Sequence, residues 1–191
     1  MTDAVQVIGP VLSPRTFSEV CDIVSEARLG RSEYNDEYVR FYHHNLPPLV
    51  DLHRHLVGSA SELFEVPLKA SYVFLSLYLP GGTVPLHLDR PQCFRTIDLL
   101  VAQDDDVPWS ICISDPVTDD DRERGLQLDP TGDMRDNIID SHRWTEVTVE
   151  PNEAVCYSGT HSWHYRPKPA TARTDLIFFH FAPEDYDGPL G

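Results

Sequence analysis

The sequence is short of basic residues: 15 Lys and Arg stand against 31 Asp and Glu, a formal net charge of −16 at pH 7. A phosphate-backbone partner needs a basic patch, so no nucleic-acid partner is expected. The acid surplus serves solubility first; steering of a cationic substrate is the lesser reading. It is partly gathered in AQDDDVP (102–108) and DPVTDDDRERG (115–125), which read as solvated loops rather than a binding face. No run of about 18 apolar residues is present, so no membrane span is expected. The stretch MTDAVQVIGPVL lacks a basic start and a long apolar core, so no secretion signal is expected either. Cys21, Cys93, Cys112 and Cys156 stand singly without a CxxC, which disfavours a zinc knuckle or a dithiol redox motif. Reduced thiols in a cytoplasm are the simplest reading. There is no internal repeat and no long linker.

What is present is enough for one domain with a sizeable core: 191 residues, 41% hydrophobic and 10% aromatic. LSPRTFSEVCDIVSEARLG reads as a first helix, with Ser13 as cap, Pro14 in the first turn and Gly30 past the end; Phe17, Val20, Val24 and Ala27 share a face. A second helix is expected over 48–64, with Leu49, Leu52, Leu56 and Leu63 on one stripe. NDEYVRFYHHN between them suits a short strand. From residue 69 the pattern turns to strands: ASYVFLSLYLPGG, FRTIDLLVAQ, WSICISD, TEVTVEPNEAVCYSG and ARTDLIFFHFAP. Residues 115–143 have little periodicity and read as a long insertion, a length that points to function or mobility. Helices followed by about seven strands predict an α+β chain built on a jelly roll, with a helical part over about 1–66 and the barrel core over about 69–182.

Nine histidines are available. His53 and His55 lie two apart on a predicted helix, face different ways, and read as surface residues; the adjacent His43 and His44 carry no metal signal. His87 and Asp89, in VPLHLDRPQ, are different, because residues two apart on a strand face the same way. A second histidine from a distant strand would complete two imidazoles and one carboxylate, the facial set that leaves coordination positions open for O₂ chemistry at non-haem iron. His161 and His164 both lie in the right segment. Arg173, nine residues after His164, could grip the far carboxylate of a dicarboxylate co-substrate bidentately. Its strand alternation groups it with Asp175, Ile177, Phe179 and Phe181, an apolar face taken as inward. That puts His180 on the other face, outside the site. Asp175 has no evident role there, and Trp109 and Trp163 read as packing.

YLPGGTVPLHLDRP followed by EPNEAVCYSGTHSWHYRPKPATARTDL resembles the Fe(II)- and 2-oxoglutarate-dependent dioxygenase superfamily, in particular its prolyl-hydroxylase-like branch, over about residues 72–181. The resemblance implies a double-stranded β-helix (a jelly-roll, cupin-like barrel) with N-terminal helices packed on it. It implies His87, Asp89 and His164 as the iron ligands, with His161 as the rival for the last. It also implies Arg173 as the partner of the far carboxylate of 2-oxoglutarate, and Tyr78 as a wall of the co-substrate pocket. The implied reaction consumes O₂ and 2-oxoglutarate and hydroxylates a C–H; desaturation or cyclisation use the same ligands. The retained Asp89 argues against halogenation. Phe179 stands where DNA-repair relatives carry a second arginine, so a free amino acid or another small metabolite is the expected substrate. Residues 115–143 are the expected lid, and GRSEYNDEYVRFYHHN the opposite wall. The alternatives are a hydroxylase of a peptidyl residue, a cupin-like metal protein that does not use 2-oxoglutarate, and a barrel that binds without catalysis.

Overall fold

The structure is a computed structural model that describes residues 4–30, 32–104, 108–118 and 130–191. Its elements follow from local chemistry. Helix α1 (Pro14–Leu29) starts where Ser13 Oγ accepts from the Thr16 N–H at 3.2 Å, and it ends where the Gly30 N–H reaches back to the carbonyls of Glu26 and Ala27. It buries Val20, Val24 and Ala27. Helix α2 (Pro47–Leu63) opens on two prolines, which lose nothing there because first-turn N–H groups have no helical partner. It buries Leu49, His53 and Ala60. His53 is thus a core residue, not a surface one: its ring packs on Phe179 and Phe181 at 5.5 and 4.7 Å between centroids. His55 is exposed.

Among the described residues, ten strands form two antiparallel sheets. The larger contains β1 (Gln6–Ile8), β2 (Glu33–Asn35), β3 (Arg40–His44), β4 (Leu68–Tyr78), β5 (Arg95–Gln103), β8 (Ala154–Tyr157) and β10 (Thr174–Pro183), in the order β1-β8-β5-β10-β4-β3-β2. The smaller has β6 (Ile111–Ser114), β7 (Trp144–Val147) and β9 (His164–Tyr165), in the order β7-β6-β9. The segment TEVTVEPNEAVCYSG is therefore two strands in different sheets. Asn152, at φ +69°, makes the corner between them, and its amide clamps the Leu12 backbone with two bonds of 2.9 Å. The segment expected to be structureless over 115–143 holds a helix, α3 (Gly132–Ser141), whose Ile138 packs with Leu86, Leu88, Val117 and Trp163. Residues 119–129 of that segment lie outside the described residues.

The large sheet is buried on both faces, and this positions the site. One face packs on the helices through Val73, Leu75 and Leu77 of β4, Ile97, Leu99 and Val101 of β5, and Ile177, Phe179 and Phe181 of β10. The opposite face presents the alternate residues, among them Tyr78, Leu100 and Leu176, to a second cluster. Each of the four central strands therefore reads as nearly continuous apolar sequence, because neither side meets water.

Candidate active site

The bridge that closes the small sheet carries the first two histidines. His87 and His164 exchange both backbone bonds, at 3.1 and 3.0 Å, and their rings lie 4.1 Å apart. Pro85 and the turns around it stop this contact from growing into a ladder, so residue 87 sits at an isolated bridge rather than in a regular strand. Each imidazole is oriented by its own chain. His87 Nδ1 lies 2.8 Å from the Pro85 carbonyl, and His164 Nδ1 lies 2.9 Å from the Ser162 carbonyl. A carbonyl only accepts, so both Nδ1 atoms carry the proton and each Nε2 keeps the lone pair that a metal would take. Asp89 Oδ1 stands 3.6 Å from His87 Nε2 and 3.7 Å from His164 Nε2. The three donor atoms lie within 4.8 Å of one another. Two neutral imidazoles and one carboxylate converging on one point suit a divalent first-row metal with open positions.

The carboxylate is held from behind. Asp89 N–H donates to the Gly159 carbonyl at 2.8 Å, and Thr96 Oγ1 donates to Asp89 Oδ2 at 3.4 Å. His180 Nδ1 is 3.0 Å from the same hydroxyl. The hydroxyl's one proton goes to Asp89, so His180 donates and Thr96 relays. Burial holds the His180 imidazole neutral, down to about 4, against the pull of Asp89. Burial works against ionisation of Asp89 too. The neighbouring His164 outweighs it and holds the carboxyl below the usual carboxylate range. In return, Asp89 raises His164 against the opposing effect of burial. Gly159 is the closest backbone neighbour: a Cβ there would stand 2.1 Å from Asp89 Oδ2 and 2.7 Å from the Cys93 carbonyl.

His87, Asp89, His164 and His180 line a cavity of about 380 Å³. Tyr78 also lines it, and so do Tyr38, Arg40 and His44 from the segment expected to form the opposite wall. The described residues of 115–143 do not line it. His161 is elsewhere: its Nδ1 contacts the hydroxyls of Thr160 and Ser158 at 2.7 and 3.3 Å, and its ring meets Phe94 edge-on.

Arg173 is also elsewhere: it is not among the residues that line the cavity. Its guanidinium pairs with Asp104 at 2.8 Å, and its side chain is 37% exposed. The odd-numbered residues of β10 face the helices, and the even ones, Phe178 and His180, face the cavity. The apolar side taken as inward is thus the helix-packed side. Asp175 on that side pairs with Arg28 of α1 and lies 3.9 Å from Arg173 Nε, so its role is to dock the helix. His180, set aside from sequence, is beside the carboxylate. Among the described residues, Arg40 and Arg166 line the cavity as partly or fully buried arginines, and Arg90 lines it as an exposed one. Arg166 is two residues past His164 and points the same way. It pairs with Asp98 at 3.1 Å and lies over the Trp109 ring at 4.4 Å. Burial still raises the Asp98 carboxyl to about 6 despite this pairing.

No family model matches the chain, and no curated protein matches it in sequence. Solved structures do match in shape. SnoK, a non-heme alpha-ketoglutarate-dependent carbocyclase from nogalamycin biosynthesis, aligns at TM-score 0.72 and 16% identity over 98% of this chain and 82% of its own. A Pseudomonas putida prolyl-4-hydroxylase aligns at 0.65 and 13%, over 94% and 92%. HygX from Streptomyces hygroscopicus, solved with nickel and 2-oxoglutarate bound, aligns at 0.61 and 12%, over 95% and 83%. At these identities the likeness is one of fold. The chain has the antiparallel sheets and flanking helices of the 2-oxoglutarate oxygenase fold.

Proposed function

We propose that this chain is an Fe(II)- and 2-oxoglutarate-dependent oxygenase that hydroxylates an unactivated C–H of a small molecule, a free amino acid or another metabolite. The observation that carries the reading is the convergence of His87, Asp89 and His164, with Nδ1 of each ring turned to a backbone carbonyl, inside a cavity of this fold. On this reading the two sheets are the halves of a double-stranded β-helix, and the chain is one oxygenase domain in a reducing cytoplasm. HygX with nickel and 2-oxoglutarate bound, and SnoK with its alpha-ketoglutarate dependence, support the co-substrate.

Fe(II) held by His87, Asp89 and His164 would supply the coupling of O₂ to the oxidative decarboxylation of 2-oxoglutarate, with succinate, CO₂ and a hydroxylated substrate as the products. The protein's own part is placement. His87 and His164 give neutral nitrogen donors fixed in orientation by Pro85 and Ser162. Asp89 balances part of the metal charge, and the Thr96–His180 relay fixes its second oxygen. Tyr157, His164 and the paired Asp98 and Arg166 form the inner wall and exclude bulk water. Tyr38, Tyr72, Phe74 and Phe178 offer aromatic faces on which a small molecule with apolar surface packs.

The experiment is turnover. Purified protein with Fe(II), O₂ and 2-oxoglutarate releases succinate, and a library of amino acids and cationic metabolites is screened for compounds that raise the rate. Asp89→Ala and His164→Ala abolish release, whereas His161→Ala retains it. One observation favours a second reading, a metal protein of this shape that does not use 2-oxoglutarate: Arg173 is not in the cavity. Iron binding without any succinate formation would select it.

A further inference from the structure

We propose that Arg40, with the hydroxyl of Tyr78 and braced from behind by Ser76, seats the far carboxylate of the co-substrate, in place of an arginine on the last strand. This rests on the 2-oxoglutarate reading above. Among the described residues, three arginines line the cavity: Arg40, Arg90 and Arg166. Arg166 is already neutralised by Asp98 at 3.1 Å and also donates to the Trp109 carbonyl. Arg90 is exposed.

Arg40 has no such compensation. No described carboxylate lies within ion-pair distance of it. Its Nη1 donates to Ser76 Oγ at 2.9 Å and to Tyr78 Oη at 2.8 Å. Each hydroxyl spends its oxygen as acceptor and keeps its own proton to give; neither gives it to a described residue. Ser76 and Tyr78 are 0% and 1% exposed, and Arg40 Nε is buried without a partner. Buried donors are ordinarily satisfied, and leaving them unmet is costly. A cation and the Tyr78 hydroxyl proton, both on the cavity wall, therefore describe an anion cradle, with Ser76 holding the guanidinium in place.

Its shape selects a carboxylate. The guanidinium carbon lies 4.5 Å from the Tyr38 ring centroid, 4.9 Å from that of Phe74 and 5.4 Å from that of Tyr78, so aromatic contacts fix the plane of the fork. A fixed planar fork matches a planar carboxylate. The register is secure as well: Arg40 pairs with Tyr78 across β3 and β4, and both side chains line the cavity. A chelating 2-oxo acid held at the metal by one end needs a cation at the other, and Arg40 is the inward arginine with hydrogen-bonding capacity to spare.

The test is anaerobic calorimetry of 2-oxoglutarate binding to Mn(II)-loaded protein, with Mn(II) affinity followed separately by electron paramagnetic resonance. Arg40→Gln should weaken 2-oxoglutarate by about tenfold or more, the scale of a charge-assisted bond, with Mn(II) affinity unchanged. It should leave 2-oxopentanoate, which has the same chelating end but no far carboxylate, bound as the wild type binds it. Arg173→Gln should leave 2-oxoglutarate affinity as it is. Tyr78→Phe keeps the ring and removes only the hydroxyl; it should weaken 2-oxoglutarate and carries the test if Arg40→Gln fails to fold. Wild-type 2-oxoglutarate affinity in both cradle variants, or its loss in Arg173→Gln, overturns the assignment. A wild type that takes Mn(II) but no 2-oxoglutarate overturns the co-substrate reading itself, a different and distinguishable failure.

Discussion

Replacing Gly159 with alanine should damage the metal centre from outside its coordination sphere. The added methyl would stand 2.1 Å from Asp89 Oδ2, 1.3 Å short of the 3.4 Å at which ordinary contact begins, and 2.7 Å from the Cys93 carbonyl. Neither neighbour yields easily. The carbonyl is backbone, and Asp89 is tied to the Gly159 carbonyl through its own N–H at 2.8 Å, so moving one drags the other. Relief must come from swinging the Asp89 carboxylate away from the two Nε2 atoms it faces at 3.6 and 3.7 Å. Overpacking of this kind costs about 1–3 kcal/mol of stability. A displaced ligand support costs about 10–100-fold in metal affinity. Isothermal titration with Mn(II) and thermal melting of the apoprotein read the two effects separately. Gly58→Ala is the control: nothing lies within 4 Å of its Cβ position on α2, so it should keep metal affinity and gain about 0.5–1 kcal/mol from helix propensity. A Gly159→Ala protein with wild-type Mn(II) affinity would refute the argument that this close approach holds the carboxylate.

Burial holds His53 near pKa 4, with His180 nearby adding to the effect, below its ordinary 6.5. The folded state therefore refuses a proton that the unfolded chain accepts. The contribution of His53 is intact above about pH 6.5 and is lost as pH falls toward 4, by up to about 3 kcal/mol. Urea midpoints from pH 7 to 4 should fall less steeply for His53→Leu than for wild type; parallel curves would contradict the burial account. Arg166→Met strands the Asp98 carboxylate in the interior and should cost about 3–5 kcal/mol, whereas Arg166→Met with Asp98→Leu should recover much of it. Denaturant melts of the single and double variants decide this, and an equally unstable double variant would count against it. Thr96→Val removes the relay between His180 and Asp89 Oδ2 and should weaken Mn(II) binding by about tenfold at nearly constant melting temperature.

The two helices, the strands from residue 68 onward and the cluster of His87, Asp89 and His164 follow from periodicity and motif spacing, because capping, alternation and ligand spacing are local in sequence. The placement of Arg173 outside the cavity lining has a cause that is not local. Strand alternation separates the residues of β10 into two sets, but both faces of the sheet are buried, so apolar content cannot say which set faces the metal. The same ambiguity set aside His180. His53 was misplaced because an imidazole on a helix reads as polar, while its position opposite Phe179 and Phe181 is decided by tertiary packing. Helix α3 is short and has a polar sequence, its Thr131 cap makes no side-chain bond, and only Ile138 is buried, so it leaves little amphipathic signal. Arg40 had no signal, since its partners Ser76 and Tyr78 become neighbours only when β3 pairs with β4.

The central claim is that His87, Asp89 and His164 hold an iron to which 2-oxoglutarate chelates. Anaerobic addition of Fe(II) and 2-oxoglutarate to the purified protein, followed by visible spectroscopy, tests it most directly. The account predicts a weak metal-to-ligand charge-transfer band that requires both additions, disappears in His164→Ala and persists in His161→Ala. Bound iron with no such band on saturating 2-oxoglutarate would contradict it.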